Sequence, residues 1–179
     1  MSNISTPLDG ASKAIITIHS TKKEDLSWVH GLHERVFGPG RFARAAFRVR
    51  ENFPIDKNLS LIAKLNGKKV ASISMTPISI DGKNGYLLGP LATEFKSRGL
   101  GIGGNLVKQV CKNAMKNEQV KFVLLVGEYS YYGRLGFQKA KLNNISFPAP
   151  LDQNRILLHC ADKSLANSLN GSIRAWIKS

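Results

Sequence analysis

The residues whose types and spacing best suit chemistry lie in one short run, Arg98-Gly99-Leu100-Gly101-Ile102-Gly103-Gly104. Four glycines in seven positions, followed by an apolar period of three to four, describe a turn that opens a helix. Such a turn is an anion site. The first amides of a helix have no intrahelical acceptor, the helix dipole adds partial positive charge, and missing Cβ atoms let phosphate oxygens approach. As decoration the run would be costly, because glycine loses more backbone freedom on folding than any other residue. A P-loop is excluded, since no Gly-x-x-x-x-Gly-Lys-Ser/Thr string occurs. Gly99, Gly101 and Gly104 formally satisfy the dinucleotide fingerprint Gly-x-Gly-x-x-Gly, with Glu128 as its acidic partner. That reading is opposed by the residues between strand and turn (Thr93 to Arg98) and by the short remaining chain, which cannot complete a doubly wound sheet.

Other reactive side chains offer less. Cys111 and Cys160 can form neither a disulfide framework nor a Cys-rich zinc site, and read as two reduced, packed thiols. His30 and His33 share a helical face but lack further ligands, so no metal is expected. Lys108, Lys112 and Lys116 read as a solvated helix face. The arginines are harder to dismiss. Arg35, Arg41, Arg44, Arg48 and Arg50 fall between Glu34 and Glu51 with no acid among them. The 179-residue chain carries a net charge of +14, which predicts anionic partners without naming their chemistry.

The elements that must position these residues follow from periodicity and turn chemistry. Residues 1–13 read as a flexible leader and 14–179 as a single domain. Ala14 to His19 alternates as a strand, and a helix from about Lys23 to Phe37 starts at a cap offered by Thr21 or Asp25. Phe42 to Val49 reads as a second, Arg-rich helix. Leu59–Leu65, Lys69–Ile80 and Gly85–Thr93 are strands joined by Asn66-Gly67 and Asp81-Gly82, which predicts an antiparallel meander. Gly89-Pro90 interrupts the third strand and predicts a bulge or widened gap. The glycine turn opens a helix to about Lys116, and Val120–Val126 is an apolar strand that this crossover places parallel to its predecessor. A short helix or turn over Glu128–Leu135, a strand from Phe137, a loop over 143–150, a strand over Arg155–Cys160 and a terminal helix through Leu165, Leu169, Ile173 and Trp176 complete the chain. The fold class is therefore mixed α/β. No apolar run approaches the ~20 residues that span a bilayer, and the polar N-terminus has no signal-peptide form, so a cytoplasmic location is expected.

With the elements in place, Arg98-x-x-Gly101-x-Gly103 resembles the Gln/Arg-x-x-Gly-x-Gly/Ala motif of the GNAT superfamily, the acyl-CoA-dependent N-acyltransferases. Leu88-Gly89-Pro90-Leu91-Ala92-Thr93 is similar to the strand that precedes this motif in a bacterial subgroup of the family. Tyr131-Tyr132-Gly133-Arg134-Leu135-Gly136-Phe137 resembles its Tyr-x-x-x-Gly-Phe element. The resemblance is specific from Leu88 to Phe137 and is compatible with the element order elsewhere. It implies a mixed, mostly antiparallel sheet whose two parallel central strands splay apart, with helices on the flanks.

For function, the resemblance implies direct transfer of an acetyl group from acetyl-CoA, as acyl-donor cosubstrate, to an amine. Leu91, Ala92 and Thr93 would offer backbone groups to the pantetheine. Arg98, Gly99, Leu100, Gly101, Ile102, Gly103 and Gly104 would hold the pyrophosphate. Tyr132 would act as general acid toward the leaving thiolate; the competing role is a packing tyrosine bonded locally. The asparagine that often precedes the tyrosine in the family is absent from Val126-Gly127-Glu128-Tyr129-Ser130. Glu94 and Glu128 are the acids nearest the site in sequence, and neither is assigned as the base. The arginines of residues 35–50, in the region that helps build the acceptor site in the family, point to an anionic acceptor (an acidic peptide, a nucleotide conjugate or acyl carrier protein), which charge reversal of Arg44 and Arg48 would test. The expected assembly is a monomer or homodimer. Two other classes stay open, a non-catalytic CoA-binding or interaction domain and a nucleic-acid binder. The second is disfavoured because aromatics do not interleave with the basic stretches.

Overall fold

The structure is a computed structural model that describes residues 2–5, 14–40 and 45–177. In chain order the strands are β1 (Ser2–Ser5), β2 (Ile15–Ser20), β3 (Leu61–Leu65), β4 (Lys68–Ile80), β5 (Lys83–Thr93), β6 (Val120–Val126), β7 (Gln138–Lys139), β8 (Ile145–Ser146), β9 (Ile156–Cys160), β10 (Gly171–Ser172) and β11 (Arg174–Ala175). The helices are α1 (Leu26–Phe37), α2 (Ala45–Asn52), α3 (Ile102–Ala114), α4 (Tyr129–Tyr132) and α5 (Leu165–Ser168). Among the described residues one sheet runs in the order β1-β2-β3-β4-β5-β6-β9-β7, with β11 paired to β4.

The β3-β4-β5 meander forms as its turns dictate. Asn66-Gly67 and Asp81-Gly82 each close a two-residue hairpin with both residues at positive φ, the backbone that matches strand twist and that Asn, Asp and Gly tolerate. Pairing of β4 with β5 slips by one residue between Ile73–Leu91 and Met75–Leu88. The extra residue falls at Gly89-Pro90, whose peptide is cis, so the expected bulge lies where the sequence placed it.

β5 and β6 are parallel, as a helical crossover requires, but they pair only from Asn84–Val120 to Leu87–Leu124. Beyond that point β5 follows β4 to Thr93, while Leu125 and Val126 of β6 pair with β9 alone. The centre of the sheet is thus open at one end. Both faces of the sheet are buried: Val123 and Leu125 join α3 residues such as Leu106 and Val110 in one core, while Phe122 and Leu124 join Val49 of α2 and Leu165 in the other.

Several boundaries differ from the sequence reading. Ser2–Ser5, inside the stretch read as a leader, pairs antiparallel with β2; residues 6–13 lie outside the described residues. The Arg-rich helix starts at Ala45, and Arg41 to Arg44 likewise lie outside them. The strand from Phe137 shrinks to β7, and the 143–150 loop contains β8, which pairs with β10. The terminal helix does not extend past Ser168. Ile173 joins one core and Trp176 the other, which a strand achieves with residues three apart and a helix does not. Among the described residues no helix is long and apolar enough to cross a membrane.

Asp25 corrects the expected cap. Its carboxylate does not cap α1 but accepts the amide of Lys22 at 3.0 Å and pairs with Lys69 and, at 3.6 Å, His19. Burial alone would raise its pKa, yet Lys69, the Lys22 amide and His19 together hold it below the ordinary aspartate value. A depressed folded pKa contributes stability that is present above the unfolded value of about 4 and is lost as pH falls through the folded value. Asp25→Asn should lower stability at pH 7 by about 1–2 kcal/mol and flatten the loss below pH ~4, as read by urea melts across pH.

Candidate active site

The open end of the sheet leads into a cavity of about 670 Å³, within the range of small-molecule sites. Its β5 wall is Leu88 to Leu91, and its β6 wall is Leu125 to Glu128. These are the segments that have lost each other as ladder partners. Tyr131 and Tyr132 of α4 close one side; α1 and α2 close another through Phe37, Phe47 and Arg50; the 150–155 loop supplies Asp152 and Arg155.

The glycine turn stands at the rim. Gly99 and Gly101 adopt positive φ, and a Cβ built on either would meet nothing within 4 Å, so the space above the turn is open. The amides of residues 99–104 find no acceptor among the described residues, and α3 lacks a side-chain cap. Gly103 joins turn and cavity. Its missing Cβ would lie 3.1 Å from the Tyr131 hydroxyl and 3.6 Å from both Leu91 and the Thr93 hydroxyl. Arg98 reaches back to the Thr93 carbonyl at 3.4 Å and lies over the Phe95 ring.

The predicted residues therefore separate into two groups. Leu91 and Tyr132 line the cavity. Thr93, Arg98, Gly99, Gly101, Gly103 and Gly104 surround the adjoining turn, with Leu100 exposed beside them. Ala92 and Ile102 turn their side chains into the protein, which leaves only their backbone for a ligand.

Tyr132 is fixed by packing. Its ring meets Tyr131 edge-on at 4.9 Å and Phe137 at 5.8 Å. It also covers Gly127, where a Cβ would come within 2.5 Å of the ring; only glycine allows this approach. Burial first, and Tyr131 second, push the phenol up to about 12, so it holds its proton throughout the neutral range. A held proton on a cavity wall suits a general acid. Burial likewise pushes both thiols up to about 12, which removes Cys111 and Cys160 as nucleophiles.

Of the two acids nearest the site, Glu128 lines the cavity and forms an ion pair with Arg155 at 3.1 Å, whereas Glu94 is bound to Arg35 at 2.6 Å outside it. His33 reaches the cavity beside Phe37, and among the described residues no three His, Cys, Asp or Glu side chains form a metal cluster. Sequence reasoning set Arg50 among the acceptor-selecting arginines without singling it out, and missed Asp152 and Arg155. Helical spacing could have singled out Arg50: Ala46 and Arg50, four apart, share the face of α2 that lines the cavity, while Arg48 faces away and pairs with Glu51 at 3.3 Å. Nothing in the sequence marked the 150–155 loop.

No protein-family model matches the sequence. It is 29% identical over 138 residues, 75% of each chain, to YjhQ, an uncharacterized N-acetyltransferase of Escherichia coli strain K12. Among solved structures it is similar to the GNAT family N-acetyltransferase YhbS of Escherichia coli in complex with CoA, with a TM-score of 0.70, 20% identity and 96% and 94% of the two chains covered. A GNAT family acetyltransferase of Brucella melitensis in complex with acetyl-CoA gives a TM-score of 0.62 at 20% identity, with 90% and 96% covered. The ribosomal-protein-S18-alanine N-acetyltransferase of Escherichia coli gives 0.56 at 19%, with 81% and 93% covered. At these identities the solved structures speak for the fold. The chain shares that fold with the GNAT acetyltransferases, and its sequence relative is itself named an N-acetyltransferase.

Proposed function

We propose that the protein transfers the acetyl group of acetyl-CoA directly to an amine. The observation that carries the reading is the continuity of three features: a strand edge without a partner, a cavity beyond it and an uncapped glycine turn at its rim. A ligand with a polar, extended arm and a pyrophosphate needs these in that order. The residues fit such a ligand, because the open space over Gly99 and Gly101 lies beside unpaired amides and Arg98. CoA and acetyl-CoA are bound by the similar YhbS and Brucella proteins.

In this reading the backbone of Leu91 to Thr93 binds the pantetheine, replacing the ladder that β6 does not supply. The turn from Arg98 to Gly104 binds the pyrophosphate. The acceptor nitrogen, deprotonated, attacks the thioester carbonyl, and a backbone amide near Leu91 steadies the developing oxyanion. When the tetrahedral intermediate collapses, the C–S bond breaks, Tyr132 donates its proton to the leaving thiolate, and the proton shed by the attacking nitrogen returns through solvent to the Tyr132 phenolate. No covalent enzyme intermediate forms. The acceptor enters from the side of α1, α2 and the 150–155 loop.

Calorimetric titration with acetyl-CoA should give a saturable site whose affinity falls by at least about tenfold in Gly103→Val, with a melting curve showing that the variant is folded. No binding to the wild type would end the reading. With an amine that supports turnover, Tyr132→Phe should lower kcat by about 100-fold with little change in the KM of acetyl-CoA. An unchanged kcat would return Tyr132 to a packing role.

A further inference from the structure

Arg50 stands on the cavity wall where acetyl transfer as derived above uses no cation. It projects from α2 to the point where β5 leaves β6: Nη2 donates to the Leu88 carbonyl at 3.3 Å, and lies 3.0 Å from the position a Cβ would take on Gly89. Among the described residues this is the one hydrogen bond made by a group with five donors. Its Nε is buried without an acceptor, and no carboxylate among the described residues pairs with it. Its neighbours differ. Arg35, Arg48 and Arg155 are each held by a glutamate, at 2.6, 3.3 and 3.1 Å.

We propose that Arg50 anchors a carboxylate carried by the acceptor, which makes the acceptor a small amine of the amino-acid type. The inference rests on the acetyltransfer reading and deepens it. Arg50 is half-buried, with its Nε enclosed; an enclosed guanidinium edge without a counter-ion is unfavourable, and its planar fork matches a carboxylate two bonds at a time. Burial pushes Arg50 down to about 10, so it remains charged at neutral pH. The same cavity is lined by Asp152, which has no ion-pair partner among the described residues, while Glu128 is already paired with Arg155 at 3.1 Å. A molecule with an ammonium and a carboxylate would set its nitrogen toward Asp152 and its carboxylate against Arg50 and β5. One unpaired guanidinium matches one negative charge; a phosphate dianion would leave half its charge unmet. This narrows the anionic-acceptor expectation from the arginines of residues 35–50 to Arg50. Arg48 borders a different hollow, beside Phe53 and Phe147, and Arg44 lies outside the described residues.

The test measures CoA release at saturating acetyl-CoA with the standard L-amino acids, their carboxamides and phosphoethanolamine. The expected result is turnover of at least one amino acid, preferred over its own carboxamide by about tenfold or more in kcat/KM. In Arg50→Gln that ratio should fall to about threefold or less, through the KM of the amino acid. Should Arg50→Gln fail to fold, Arg50→Lys keeps the cation, loses the fork and should still cut the ratio by about threefold. Equal use of the carboxamide, a ratio that survives either substitution, a preference for phosphoethanolamine, or an equal fall in kcat for acid and amide would each overturn the proposal. If acetyl-CoA binds but no amino acid reacts, this inference fails and the transferase reading stands. If acetyl-CoA does not bind, the transferase reading itself has failed.

Discussion

The site depends on one missing set of hydrogen bonds. β5 and β6 share a ladder as far as Leu87–Leu124 and then separate, each still paired on its outer side, to β4 and β9 respectively. Backbone groups left facing a gap must be satisfied, and inside a protein the alternatives are water or a ligand. The separation is held from both flanks. The bulge at Gly89-Pro90 redirects β5, and the Gly127 amide donates to the Arg155 carbonyl at 2.9 Å, which ties the end of β6 to β9. A cavity in this position is therefore built by strand pairing, and the side chains that line it only finish its chemistry.

Three glycine-dependent contacts turn that opening into a site. Gly103 lets the first turn of α3 approach Leu91, Thr93 and the Tyr131 hydroxyl, so that an anion-binding helix end and a free strand edge share one rim. Gly127 lets the Tyr132 ring lie across the end of β6, where burial keeps its proton in place. Gly89, at the bulge, lies beside Arg50. Charge is then distributed by pairing more than by count. The chain is strongly basic, yet of the two arginines that line the cavity Arg155 is paired with Glu128, and Arg50, which pairs with no carboxylate among the described residues, is the informative one.

What could be read from the sequence was what local chemistry determines. Asn66-Gly67 and Asp81-Gly82 force hairpins wherever they stand between strands, Gly89-Pro90 cannot continue a regular ladder, and the glycine run can only open a helix. What escaped was decided by distant partners. Leu165, Leu169, Ile173 and Trp176 fit a helical period, but Asn144 and Pro77 recruit the backbone of Gly171 and Trp176 and draw the segment out as strands. Arg50 lay inside a run already marked as basic. Which of its arginines turns toward the cavity follows from how α2 sits on β5, and that contact is not written in the run itself.

Hydrogen–deuterium exchange with and without CoA tests the central claim most directly, because it reads the backbone groups on which the claim rests. The account predicts fast exchange of residues 99–104 in the free protein, and protection on addition of CoA that is concentrated there and along residues 88–93. Protection elsewhere alone, or residues 99–104 already slow in the free protein and unaffected by CoA, would contradict it.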